Sequence, residues 1–258
     1  MRLRTLALVV MLALLAAPLI VAVASSETKV GSNIDVRTTV ALKIAEAEAQ
    51  KLLPPGWQVN PVASGPNQGA NLTMTFIDQL LNQDPEGKPA AAASTRTLAF
   101  GVPAKNAQTG GTGNNVVRTF TTNAQAAPGA YKVGKQGAMR LEQSIKATDN
   151  EPATVTERWE VRDESGGTVT LALEYTRALP SRSKGESKVY GGPDPAFFRI
   201  YRTDVGNDVL RSVPAGIDRV KKLSLRVTMA DFKKAFDGSE QIVSVTAIPW
   251  YVREVALP

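Results

Sequence analysis

Three groups of residues in this chain have the types and spacing to do chemistry. Lys132 and Lys135 lie three residues apart in Pro128-Gly129-Ala130-Tyr131-Lys132-Val133-Gly134-Lys135. A lysine held near another cation gives up its proton more readily, and the free amine attacks carbonyl carbon. Glu157 lies in Val155-Thr156-Glu157-Arg158-Trp159-Glu160-Val161. Alternate side chains of an extended chain share a face, so Glu157 joins Val155, Trp159 and Val161 on an apolar one. A carboxyl group there has its charged form disfavoured, which suits proton transfer. Arg199 and Arg202 interleave with aromatics in Phe197-Phe198-Arg199-Ile200-Tyr201-Arg202. A guanidinium in such a setting can clamp a ligand carboxylate. Their odd spacing puts the two on opposite strand faces, so one at most turns inward. Each group also has a plainer reading: solvated turn lysines, a carboxylate near a sheet edge or paired with an inward arginine, and surface ion pairs.

What is missing narrows the chemistry. The chain has no histidine and no cysteine. Histidine-based triads, Cys-His pairs, the common zinc sites and disulfides are therefore excluded. No calcium-loop pattern or dinucleotide fingerprint is present, and neither a metal nor another cofactor is expected. Gly110-Gly111-Thr112-Gly113-Asn114-Asn115 lacks the Gly-Lys-Ser/Thr ending of a phosphate loop and reads as a hairpin loop. Catalysis would fall to lysine, carboxylate, tyrosine or arginine.

The N-terminus sets the compartment. Arg2 and Arg4 precede an apolar run from Leu6 to Ala24, which ends in Ala22-Val23-Ala24 before polar Ser25-Ser26-Glu27. Charged start, apolar middle and small-residue exit form a secretory signal, expected over Met1–Ala24. The competing reading is an uncleaved anchor, since the run approaches the ~20 apolar residues that span a bilayer. Pro18 and the Ala-Val-Ala exit favour cleavage and a periplasmic or secreted protein, residues 25–258, with no membrane span left. The net charge of +6 falls to +4 without Arg2 and Arg4. Its densest basic stretch, Arg177 to Lys188, reads as a solvated loop, and nucleic acid is not an expected partner.

The elements that must position these groups are mostly strands. Leu72, Met74 and Phe76 alternate with Asn71, Thr73 and Thr75, the signature of a half-buried strand. Val36–Leu42, Thr95–Val102, Val116–Thr122, Phe197–Thr203, Leu223–Thr228 and Gln241–Val255 read as further strands. Val155–Val161 and Val169–Tyr175, joined through Gly166-Gly167, form the clearest hairpin. Lys43–Leu53 is expected to be helical, stopped by Pro54-Pro55. Met229–Asp237 is expected to be a second short helix, with Thr228 as N-cap and Gly238 at its exit. The sum is a single, mainly β (α+β) domain: an antiparallel barrel or sandwich with about two short helices.

Three segments together resemble the acetoacetate decarboxylase-like superfamily. They are Lys51-Leu52-Leu53-Pro54-Pro55-Gly56-Trp57, the strand Gly69–Phe76, and the Pro-Gly-Ala-Tyr-Lys segment that leads toward the Trp159 hairpin. The resemblance implies a lipocalin-like β-barrel over most of the mature chain. In that family a lysine of a Gly-Phe-Pro-Lys-like segment forms a Schiff base with a keto acid. Gly129-Ala130-Tyr131-Lys132 is the matching stretch here; it lacks the proline, and the paired lysine is displaced to Lys135.

Three functions follow. The first is an exported barrel that binds a small hydrophobic or carboxylate-bearing ligand, with Arg199, Arg202 and Trp159 as contacts. The second is a lysine-dependent decarboxylase or related lyase acting on keto acids, with Lys132, Lys135 and Glu157 as its catalytic groups. The third is a structural envelope module without a pocket.

Overall fold

A computed structural model describes residues 27–90, 95–127 and 129–258. The expected signal segment, Met1–Ala24, lies outside the described residues. β1 (Thr28–Lys43) extends well before the expected Val36. Its faces are buried over different stretches: Asn33, Asp35 and Arg37 on one, Thr38, Val40 and Leu42 on the other. That is why its alternation is weak in the sequence. α1 (Glu46–Leu52) follows and buries Ala49. β2 (Trp57–Val59) and β3 (Leu72–Gln83) come next, with Leu72, Met74 and Phe76 wholly buried as their alternation requires. β4 (Thr95–Asn106) and β5 (Thr112–Thr121) form the expected hairpin, but Thr112–Asn115, read as loop, are strand residues paired with β4, and the turn is shorter, with Gly110 in the left-handed region at φ +70°.

The remaining strands are β6 (Gly134–Thr148), β7 (Glu151–Asp163), β8 (Thr168–Thr176), β9 (Ser181–Gly191), β10 (Phe198–Ser212), β11 (Ile217–Asp218), β12 (Val220–Val227) and β13 (Gln241–Leu257). β9, β10, β13, β1, β3, β4 and β5 are successive antiparallel neighbours. β5 then returns to β9 through a parallel contact of Asn114–Val116 with Val189–Gly191, so the pairings close into a circuit of seven strands. A second parallel contact, Thr119–Thr121 with Gly134–Gln136, leads from β5 into the antiparallel run β6, β7, β8, β12. These two contacts are the departure from an all-antiparallel sheet.

The second run packs on the first through one apolar cluster. Trp159, Val161, Leu171 and Leu173 join Val40, Leu42, Phe76 and Phe100 in it. The hairpin register places Val161 opposite Val169, Trp159 opposite Leu171, Glu157 opposite Leu173 and Val155 opposite Tyr175, which is the shared inner face read from the sequence.

Two expectations are corrected. Met229–Asp237 is not an α-helix but holds a single 3₁₀ turn, Ala230–Phe232. Thr228 Oγ1 accepts the Thr168 amide at 2.8 Å and so binds β8 instead of capping a helix. Phe232 is drawn into the core, where its ring stacks on Phe100 at 3.9 Å between centroids. Segment Arg177–Lys188 is not a solvated loop along its length, because β9 occupies Ser181–Gly191. Its residues are exposed on both faces as far as Lys188, so no apolar alternation marks it, and the ladder to β10 makes it a strand. Removing the ring that anchors the 3₁₀ turn, by Phe232→Ala, should cost about 3–5 kcal/mol, read from the urea midpoint of unfolding.

Candidate functional site

Glu157 is a buried, hydrogen-bonded carboxylate at the edge of the core. β7 holds it on the inner face, 3% exposed. Its carboxylate accepts three side-chain hydrogen bonds: from Thr38 Oγ1 of β1 at 2.7 Å, Trp159 Nε1 at 2.6 Å and Gln143 Nε2 of β6 at 3.1 Å. Gln143 is its direct cross-strand partner. The carboxylate thus ties both sheets together and is fixed as an acceptor.

Two more groups stand beside it. Tyr175, at the end of β8, has its phenol pushed up, first by burial and then by the Glu157 carboxylate. It therefore remains a hydroxyl donor far above neutral pH. Asp208 of β10 is also 3% exposed. It accepts the Ala178 amide at 3.0 Å and pairs with Arg219. Arg219 is itself held by the Thr176 carbonyl at 2.8 Å.

Glu157, Tyr175 and Asp208 line one cleft of about 420 Å³. β1 and β13 supply an apolar part of its lining through Val36, Ala247, Pro249 and Trp250, and Arg37, Arg177 and Pro180 are also among its lining residues. The register of β13 slips against both neighbours around Ile248–Tyr251. Proline has no N–H for the ladder, so a bulge there is expected. Trp250 settles on Gly206, where an added Cβ would lie 2.5 Å from the indole.

The candidate residues read from the sequence are dispersed. Glu157 lines the cleft. Trp159 is 2% exposed in the core and supports Glu157 from behind. Lys132 is exposed in a turn, with a left-handed backbone at φ +58°. Lys135 is exposed and pairs with Asp231 at 3.0 Å, as does Arg118. Neither lysine lines the cleft. Arg202 lies in an ion-pair network with Glu27, Glu186 and Glu254. Arg199, on the opposite face of β10, is half-buried beside Tyr131 and Tyr201. Thr38, Gln143, Asp208 and Arg219 were not among the candidates. Tyr175 was legible as an inward residue of its hairpin; Asp208 lies beyond the expected end of its strand.

No family model and no curated protein matches the chain. Solved structures do. An acetoacetate decarboxylase-like enzyme from Sphingomonas wittichii RW1 aligns with TM-score 0.56 at 16% identity, over 90% of this chain and 92% of that one. The enduracididine biosynthesis enzyme MppR complexed with pyruvate aligns with TM-score 0.55 at 10% identity, over 89% of each chain. MppR with the condensation product of pyruvate and imidazole 4-carboxaldehyde aligns equally well, at TM-score 0.55 over 90% of this chain. The chain therefore has the acetoacetate decarboxylase-like fold, as its three sequence segments implied.

Two predictions follow from the geometry. Glu157→Leu leaves buried donors on Thr38 and Trp159 unmet, at roughly 1–3 kcal/mol for each; Glu157→Gln keeps an acceptor and should cost less, by chemical denaturation. The Asp231 carboxyl lies below the usual carboxylate range, chiefly through the Lys135 hydrogen bond. A depressed folded value means the pair stabilises above the ordinary aspartate range and loses that contribution as pH falls. Lys135→Met should raise the Asp231 pKa by NMR titration and destabilise at neutral pH more than in acid.

Proposed function

We propose that this chain is an exported single-domain carrier, residues 25–258, that holds a small hydrophobic or carboxylate-bearing molecule in the Glu157 cleft. The cleft itself carries the reading. It has the size of a small-molecule site and sets a few fixed polar groups against an apolar lining. The body of the ligand would lie against Val36, Ala247, Pro249 and Trp250. Glu157 would accept a ligand donor. The Tyr175 hydroxyl and the Arg37 and Arg177 guanidiniums are donors a carboxylate would meet. No helix among the described residues is long and apolar enough to cross a membrane. Export rests on the residues of Met1–Ala24, and Edman sequencing of protein recovered from a bacterial periplasm should begin at Ser25.

Binding is tested on purified residues 25–258 with thermal-shift and native mass-spectrometric screens of small acids and apolar metabolites. A hit should raise the melting temperature. Ala247→Phe, which fills the cleft, should abolish that rise, and Tyr175→Phe should reduce it. A hit that binds Ala247→Phe as well as the parent protein would place the ligand elsewhere and defeat the carrier reading of this cleft.

A lysine-dependent lyase acting on keto acids is the second reading. It is favoured by the fold shared with a pyruvate-bound enzyme and by the left-handed backbone at Lys132, since strained conformations collect at functional sites. Borohydride added with pyruvate should then leave a mass adduct on Lys132. Absence of an adduct across a panel of keto acids would reject it.

A further inference from the structure

We propose a second ligand site, for a small oxyanion (carboxylate or phosphate), where Arg199 of β10 and Arg253 of β13 converge on the Tyr131–Tyr201 hydroxyl pair. The placement follows from the ladder. Arg199 and Tyr201 are two residues apart and share a face of β10. Arg253 lies opposite Thr203 and therefore diagonal to Tyr201. Its guanidinium carbon is 4.3 Å from the Tyr201 ring centroid, and its Nε donates to Asn33 Oδ1 of β1 at 2.6 Å. Tyr131 enters from the turn before β6, and its hydroxyl meets that of Tyr201 at 2.8 Å. Both guanidiniums lie close enough to Tyr131 to favour its anionic form, although burial dominates and pushes the phenol up.

Positive charge is in excess here: the one carboxylate on this face of β1, Asp35, pairs with Arg37 and also acts on Arg253. Among the described residues no ion pair reaches Arg199 or Arg253. Glu186 and Glu254 occupy the alternate positions of their strands and serve Arg202 on the other face. Arg199 Nε and Asn33 Nδ2 are buried donors with no partner. The unmet acceptor nearby, Asp35 Oδ1, sits on the carboxylate already held by Arg37. Three buried or half-buried guanidiniums, Arg37, Arg199 and Arg253, beside a single carboxylate are costly, and an oxyanion with paired acceptor oxygens offsets the excess charge and meets the free donors. Approach is open along β9. Ser183, Gly185 and Ser187 lie opposite Val205, Thr203 and Tyr201 on this face, and all three are small and exposed.

The test uses purified residues 25–258 titrated with sodium acetate and, separately, with inorganic phosphate. Sodium chloride at equal ionic strength is the control, and binding is read by thermal shift and calorimetry. Saturable binding by either anion or both, beyond the chloride control, supports the site and identifies its oxyanion. Loss of one charged hydrogen-bonding group should weaken binding about tenfold or more, in Arg199→Met and in Arg253→Met. Should Arg253→Met fail to fold, Arg199→Lys keeps the charge and loses the planar fork, and should still bind more weakly. Arg202→Met, on the opposite face, should bind like the parent protein. No saturable binding, or equal affinity in Arg199→Met, would overturn the proposal.

Discussion

Strand β5 has one free edge and two partners for it. Its first half takes β9 and its second half takes β6, both in parallel, while β4 covers the other edge throughout. The first contact closes the seven-strand circuit; the second starts the run that covers the core. Each parallel contact spans three residue pairs, too few to be stable alone. They persist because the sheets they join share a buried apolar cluster. The cleft lies where that covering run meets β1, β10 and β13, so its existence depends on how β5 divides its edge.

Glu157 marks the limit of the shared core. Toward Trp159 the inner face of β7 is apolar and buried; toward the cleft it meets Tyr175 and Asp208. A buried carboxylate is tolerated only when its lone pairs are met, and donors from three strands meet them here. Burial first, and then the same carboxylate, push up the pKa of the nearby phenol. One interaction thus serves the packing of the sheets and the polarity of the cleft. The opposite half of the β10–β13–β1 surface is built otherwise, with several arginines and tyrosines around the one carboxylate of Asp35 and with unmet donors on Arg199 and Asn33.

Much of the architecture was legible. The β7–β8 hairpin, the Leu72–Phe76 alternation and the stop at Pro54-Pro55 each report a local constraint: period-two burial or the missing N–H of proline. Illegible parts took their structure from distant partners. β9 carries almost no apolar residues and is a strand because β10 lies beside it. Met229–Asp237 has the composition of a helix, yet Thr168 claims its cap and Phe100 claims its phenylalanine. The lysine pair was legible as a pattern of charges, but the bond of Lys135 to Asp231 depends on a turn some hundred residues away in sequence.

By itself, the sequence determined what chemistry is possible: without histidine or cysteine, every polar site must be built from carboxylate, lysine, arginine, tyrosine and amides. It also determined that Glu157 faces inward, since strand alternation is a local property. Only the tertiary structure decided which polar groups meet. Thr38 and Glu157 are 119 residues apart, and Arg253 and Asn33 are 220. Pairings over such distances are set by strand order and register, and these depend on the energy of the whole packed core rather than on any segment of the chain.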